Sequence, residues 1–282
     1  MERLSTPALP PELERQIFEI CALFRPVSIP KLMLVAWRVK QWIEPILYRT
    51  VVIGALESAT RDSEFPVFTF DILLSAIQKN TEIFFRSTLR NLYLDDPSVD
   101  NLPAILSACT DVENLWMAGA RELSEAILSL FASLKVRHLY ADAQPFCHAY
   151  PPPHPFFSQI THLELFNVVD DTTIQTLPLI PHLTHLSFNH PSFIPHCLQI
   201  LKTCPSLTVL VSITPRSLRG WYAAHEAALS RDVRFVGMYC YHFTQDWLLG
   251  IKTGLDYWSR AEAFIAQRRS GEIDPLRFEI VE

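Results

Sequence analysis

Glycine is scarce in this chain, which has seven glycines among 282 residues. The sequence contains no GxxxxGK(S/T), GxGxxG or GxSxG motif, so no segment indicates a phosphate-binding loop or a nucleophile turn. The formal net charge is -6 at pH 7, without the basic excess that favours nucleic-acid binding. We therefore expect neither an enzyme nor a nucleic-acid-binding protein.

Long apolar runs are also missing. No stretch approaches the roughly 18–20 apolar residues that a membrane-spanning helix needs. The first residues alternate charges and prolines, unlike the apolar core of a signal peptide. The six cysteines form no CxxC pair and no secreted-domain framework, which favours reduced thiols. These absences predict a cytoplasmic or nuclear protein that does not bind a membrane.

The chain does contain an internal repeat. The spacing L-x-x-L-x-L occurs in Leu89–Leu94, and the same apolar pattern recurs five times at intervals of 23 or 24 residues. The six copies begin at Leu89, Val112, Val136, Ile160, Leu183 and Leu207, and a weaker seventh begins at Val233. Helix-like stretches at 102–109, 123–131 and 197–204 lie between the copies. Each unit can bury its apolar side only against its neighbours, which predicts stacked units.

This pattern resembles that of leucine-rich repeats, whose units are about 20–29 residues long. The resemblance covers residues 89–238 and implies an α/β solenoid. The Asn or Cys that closes the family's repeat is missing: Pro97, Ala120, Val168 and Pro191 stand at or near that place. We therefore expect an irregular array. Residues 144–157 contain a run of prolines and are expected to be extended rather than helical.

Three short amphipathic helices are predicted before the repeats. The first opens at Leu9-Pro-Pro-Glu, and its apolar residues Leu13, Ile17, Ile20 and Phe24 fall on one face. Apolar runs at 29–36 and 37–48 predict the second and third helices. So few residues cannot form a stable core alone. We expect them to pack against the first repeat, a partner, or both.

The same N-terminal stretch resembles the F-box of fungal proteins. The matching residues are Leu9-Pro10-x-Glu12-Leu13-x-x-x-Ile17-Phe18, Leu34-Val35, Trp42 and the ending Ile43–Thr50. The resemblance implies docking on the Skp-type adaptor of a cullin–RING ubiquitin ligase. The implied contacts are Leu9, Pro10, Leu13, Ile17, Phe18, Leu34, Val35 and Trp42. The alternative is a helical cap that shields the end of the array and binds nothing.

Residues between the leucines should point away from the helices, onto a concave sheet face. Stacking the copies gives three columns there. The first is Asn91, Asn114, His138, His162, His185 and Val209; the second is Tyr93, Trp116, Tyr140, Glu164, Ser187 and Val211; the third is Asp95, Ala118, Asp142, Phe166, Asn189 and Ile213. We expect an exposed aromatic stripe that binds a protein target. The predicted contacts are Tyr93, Asp95, Trp116, His138, Tyr140, Asp142, His162, Glu164 and His185. Alternatively, a terminal segment folds over the stripe.

Histidine and cysteine are placed poorly for chemistry. His182, His185, His190 and His196 lie near Cys197 in the sequence, but without the knuckle spacing of a zinc site. Cys147-His148 and Cys240-Tyr-His242 lack an orienting carboxylate. We expect no metal and no cofactor.

The sequence thus divides into three predicted parts. Residues 1–53 are an F-box-like helical motif, 54–240 a degenerate leucine-rich-repeat solenoid, and 241–282 a helical C-terminal cap. The predicted function is a non-enzymatic substrate receptor that links a Skp-type adaptor to a protein target. The alternative is a stand-alone leucine-rich-repeat interaction scaffold without ligase coupling.

Overall fold

The computed structural model describes residues 9–54, 64–119, 123–142, 144–150, 154–214, 222–240 and 242–280. In this part of the chain ten parallel strands form one sheet, accompanied by thirteen α-helices. The strands are β1 Thr50–Ile53, β2 Val67–Phe68, β3 Asn91–Asp95, β4 Asn114–Ala118, β5 His138–Ala141, β6 His162–Leu165, β7 His185–Phe188, β8 Val209–Thr214, β9 Phe235–Tyr239 and β10 Glu279–Ile280. Their order is β10-β9-β8-β7-β6-β5-β4-β3-β1-β2. The fold is α/β and compatible with a solenoid-like arrangement.

The repeat spacing sets the register of the sheet. Leu92 lies opposite Leu115, which lies opposite Leu139, and the column continues through Leu163, Leu186 and Leu210. All six side chains are at most 1% exposed. A one-residue slip would turn every leucine to the other face of the sheet, so this register is strongly favoured. The predicted stacking of the six leucines is confirmed.

Short helices cover the face to which the leucines point, called here the back face. They are α4 Phe70–Lys79, α5 Glu82–Thr88, α6 Leu102–Ala108, α7 Glu125–Phe131, α8 Gln144–Ala149, α9 Asp171–Thr176, α10 Cys197–Thr203 and α11 Glu226–Leu229. Side-chain caps stabilise the first turn of several of these helices. Ser124 and Asp170 accept the backbone N–H of Ile127 and Thr173 at the starts of α7 and α9.

One segment differs from its predicted conformation. Within 144–157 we expect extended chain, but residues 144–149 form α8 and Pro155–Gln159 form a 3₁₀ helix. Aromatic packing explains the difference. Phe146 is buried between Phe131 and Phe156, each with its ring centre 5.2 Å away. The intervening prolines at 151–153 lie outside the described residues.

The N-terminal helices are joined directly to the sheet. They are α1 Pro11–Phe24, α2 Ile29–Leu32 and α3 Trp37–Leu47, with a 3₁₀ turn at Pro26–Ser28. Helix α3 buries Val39, Ile43 and Leu47 in the same core as the leucine column. Strand β1, which we assign by sequence to the helical motif, pairs with β3 in the sheet. Strand β1 therefore belongs to the same sheet as the repeats that follow it.

The C-terminal helices cover the opposite face of the sheet, called here the front face. They are α12 Phe243–Thr253 and α13 Tyr257–Ser270, and Gly271 at φ +77° ends α13. We expect a cap at the end of the array, but among the described residues only the short strand β10 continues the sheet past β9. Helices α12 and α13 instead pack on the strands themselves. A second apolar core results, with members including Tyr93, Tyr140, Val209, Val211, Val236, Trp247, Trp258 and Phe264.

No helix within the described ranges is both long and apolar enough to span a membrane.

The leucine column gives a direct test of the stacked-repeat fold. Leu163→Ala should lower the free energy of unfolding by about 2–5 kcal/mol, because it leaves a cavity in the middle of the array. Leu179→Ala is the matched control, since Leu179 is 56% exposed. The control should change stability by less than about 0.5 kcal/mol. Urea denaturation measures both; equal effects would contradict the stacking.

Candidate functional site

An exposed apolar surface lies on the N-terminal helices. Ten large apolar side chains within residues 9–37 are exposed and are called here the N-terminal apolar surface: Leu9, Leu13, Ile17, Ile20, Leu23, Phe24, Val27, Leu34, Val35 and Trp37. The predicted stripe of α1 belongs to it, with Leu13 46% and Phe24 78% exposed. Helix α1 packs inward through Ala22 and the half-buried Phe18. The most apolar side of α1 therefore faces outward.

Six of the eight predicted adaptor contacts are accessible to solvent. Leu9, Pro10, Leu13, Ile17, Leu34 and Val35 are exposed. Phe18 and Trp42 are instead half-buried and pack against the core of the array. An ion pair holds the first turns of α1 and α3 together, with Arg38 donating to both carboxylate oxygens of Glu14 at 2.8 and 3.1 Å. These two half-buried side chains pack beneath the surface rather than form it.

The front face is largely closed, contrary to the expected exposed aromatic stripe. Tyr93 and Tyr140 are 3% and 4% exposed. The Tyr93 hydroxyl lies 2.7 Å from Thr244 of α12, and Trp258 of α13 donates its indole N–H to the Tyr140 hydroxyl. The structure thus agrees with the alternative prediction, in which a terminal segment folds over the aromatic stripe. That segment consists of α12 and α13.

A sequence signal for this cover is present at the end of the array. Val209, Val211 and Ile213 occupy all three outward positions of β8, and all three are buried. A strand with apolar residues on both sides is typical of a parallel sheet covered on both faces. Three apolar outward residues in one repeat therefore indicate a covering element.

Glu164 lies at the centre of the closed face. It is 2% exposed, and its Oε2 accepts the hydroxyl of Tyr257, which in turn lies 2.9 Å from Ser187 Oγ. Its Oε1 has no partner within the described residues. Burial raises the pKa of Glu164 to about 8, so the side chain is protonated at neutral pH. Glu164, which we predict to contact a target, is instead buried and hydrogen-bonded to Tyr257 of α13.

The three histidines form the stacked column that the register predicts. The ring centres of His138 and His162 are 4.0 Å apart, and those of His162 and His185 are 3.9 Å apart. Burial and the neighbouring rings lower the pKa of His162 to about 2 and that of His138 to about 4. His185 is 7% exposed, and its Nε2 lies 3.0 Å from Glu262 of α13. The column is therefore neutral at pH 7 and partly covered.

One part of the front face stays open. Outward residues of four neighbouring repeats, together with the start of α12, line a cavity of about 270 Å³ at the carboxyl ends of the strands. This front pocket is lined by Trp116, Ala118, Gly119, Asp142, Phe166, Asn167, Asn189 and Phe243. Of the predicted target contacts, Trp116 and Asp142 line it. Asp95 is half-buried at the end of β3.

The candidate metal and nucleophile residues are not brought together. In the described part of the chain no three His, Cys, Asp or Glu side chains are grouped as a metal ion would need. Burial raises the pKa of the Cys147 thiol to about 12, which keeps it protonated. The adjacent His148 pairs with Asp170 at 2.6 Å instead.

The histidine column predicts a contribution to stability that is lost in mild acid. A folded-state pKa below the unfolded value of about 6.5 means that the unfolded histidines bind more protons, so this contribution falls as pH drops below about 6.5. From pH 7.5 to 5.5, His162 alone should account for about 1 kcal/mol of this loss. His162→Gln should remove that share, measured by urea denaturation at both pH values. Identical pH profiles would show that His162 titrates freely when folded.

Glu164 predicts a slope of opposite sign, which extends up to about pH 8. Its raised folded-state pKa stabilises the fold fully below the unfolded value of about 4.5, and this stabilisation is lost as pH rises through about 8. Wild-type stability should therefore fall as pH rises from about 7.5 to 8.5, where the histidines of the unfolded chain are already almost fully deprotonated. Glu164→Gln should flatten that slope in the same denaturation experiment. A slope unchanged by the substitution would contradict a buried neutral Glu164.

Comparison with known proteins assigns no family. No model of a known protein family matches the chain, and no curated protein is significantly similar to it. A function must therefore be inferred from the surfaces of the molecule, namely the N-terminal apolar surface and the front pocket.

Proposed function

We propose that this chain is a non-enzymatic interaction protein that docks on a Skp-type adaptor of a cullin–RING ubiquitin ligase and presents a protein target to it. In this proposal residues 9–48 act as an F-box-like motif and the parallel array as degenerate leucine-rich repeats. The compartment would be the cytoplasm or the nucleus. The observation that carries the proposal is the exposure of the N-terminal apolar surface.

The size of this surface favours a protein partner. Full burial of a Leu, Ile or Phe side chain is worth roughly 1.5–3 kcal/mol, so covering a half-exposed one is worth about 1 kcal/mol. Ten such side chains together provide on the order of 10 kcal/mol, which is comparable to the cost of association. Large exposed apolar surfaces on monomeric proteins often mark sites of protein interaction. A partner with a complementary apolar groove would therefore bind here.

The sequence pattern supports the adaptor as that partner. The residues that resemble the F-box motif and the exposed residues of the surface coincide at Leu9, Leu13, Ile17, Leu34 and Val35. A helix that served only to cap the array would turn its apolar stripe inward. Helix α1 does the reverse, since Ala22 is its buried residue.

The second candidate function is a stand-alone leucine-rich-repeat interaction scaffold. The observation that favours it is the packing of α3 and β1 into the array, which makes the N-terminal helices part of the repeat fold. This scaffold would use the same N-terminal apolar surface for some other protein. Adaptor binding distinguishes the two functions.

A charge placed on the N-terminal apolar surface should abolish adaptor binding. Leu13 is the third residue of α1, where an aspartate suits the helix dipole, so Leu13→Asp should leave the fold intact. Burying the new carboxylate against an apolar groove should weaken binding roughly tenfold or more. Calorimetric titration with a purified Skp-type adaptor measures the affinity.

The matched control is Leu179→Asp, because Leu179 is similarly exposed on the 3₁₀ turn Leu177–Leu179 at the back of the array. It should bind the adaptor like wild type. No binding by the wild-type chain at micromolar concentration would eliminate the ligase function and leave the scaffold. Equal loss in both variants would show that the N-terminal apolar surface is not the contact.

A further inference from the structure

The front pocket has an aromatic wall. One face of the Trp116 indole is stacked on Tyr93, with ring centres 4.0 Å apart and planes 8° apart. Phe166 lies 5.2 Å from Trp116 and is tilted by 54°, so the two rings meet at an angle around the cavity. Phe243, the first residue of α12, adds a third ring to the lining. Tyr93 thus fixes the indole from behind while its other side borders the pocket.

The charge at the pocket is negative. Asp142 is the charged residue of the lining, which contains no Lys, Arg or His among the described residues. Its Oδ1 accepts the backbone N–H of Gln144, which holds the carboxylate in place. Asn167 and Asn189 border the same space and offer amide oxygens as further acceptors. Asp96, which follows β3, lies against Gly119 of the lining and adds negative charge.

Aromatic faces and a carboxylate together select a cation. Ring faces attract a positive charge, and a nearby carboxylate adds an ion pair, whereas an anion would be repelled by both. The volume of the front pocket limits the size of the group that can enter it. At about 270 Å³ the front pocket falls just below the range of roughly 300–1,000 Å³ that small-molecule sites occupy, so it fits one long side chain.

We propose that the front pocket, where Trp116, Phe166 and Phe243 meet the Asp142 carboxylate, binds the positively charged side chain of a Lys or Arg residue on a protein target. The alkyl stem of that residue lies against the rings while its charged end reaches Asp142 and the asparagine oxygens. The inference deepens the target-binding half of the proposed function and rests on it. Adaptor docking takes place elsewhere, on the N-terminal apolar surface.

The test uses the whole chain labelled with 5-fluorotryptophan and no adaptor. Fluorine NMR follows the Trp116 signal, which a Trp116→Phe variant identifies. The probes are the N-acetyl methylamides of lysine, arginine and norleucine; norleucine has an apolar stem but lacks the charge. The lysine or arginine probe should shift the Trp116 signal saturably at millimolar concentration, and norleucine should not.

Asp142→Asn keeps the acceptor for the Gln144 N–H but removes the charge. It should weaken binding of the cationic probe by about threefold to tenfold, the range that an ion pair of this kind contributes. Asp100→Asn is the matched control, because Asp100 is exposed and does not line the pocket. It should bind the probe like wild type.

Several outcomes would overturn the inference. Norleucine binding as tightly as lysine would show a merely apolar pocket, and an unchanged Asp142→Asn variant would remove the role of the carboxylate. Methylammonium binding as tightly as the lysine probe would indicate a site for small amines rather than for a side chain. No shift at roughly tens of millimolar probe would show that the front pocket binds no cation. None of these results bears on adaptor affinity, which is measured separately.

Discussion

A parallel sheet with apolar residues on both faces must be covered on both faces, and the rest of this molecule depends on that constraint. The leucine column is buried under short helices on the back face. On the front face, Tyr140, Val211 and Val236 would be exposed to water if nothing lay over them, and α12 and α13 supply the cover. The C-terminal helices are thus part of the core rather than an appendage.

This cover decides which surfaces remain for partners. Polar groups on the front face are largely satisfied from within, as by Tyr257 at Glu164 and by Glu262 at His185. The front pocket at the carboxyl ends of the strands stays open, and Trp116 and Asp142 are still accessible there. The N-terminal apolar surface lies apart from the front pocket and stays exposed. Under the proposed function, these two surfaces would contact two different partners.

The sequence predicts the repetitive parts of the fold well. A period of 23 or 24 residues places Leu92 through Leu210 in one column, and the same register places His138, His162 and His185 in contact. Both follow because each parallel strand repeats the geometry of its neighbour. The spacing of apolar residues also predicts that α1 is a helix and which of its residues form the apolar stripe.

The non-repetitive parts could not be predicted in the same way. The position of α12 and α13 depends on contacts between residues far apart in sequence, such as Tyr93 with Thr244. The short helix at 144–149 forms because Phe146 fits between two rings that only the fold brings together. The front pocket, likewise, needs Phe243 to arrive from a distant segment. In the sequence, the apolar outward residues of β8 are the one signal that indicates a covered front face.

Native-state hydrogen exchange is the most direct test of the central claim that α12 and α13 belong to the core. If they do, amides in α13 exchange only when the whole array unfolds, so their protection should match that of β5 to β7 within roughly a factor of ten. Exchange in α13 that is faster by several orders of magnitude, with β5 to β7 still protected, would contradict the claim. It would mean that the helices detach and that the front face is an open binding surface after all.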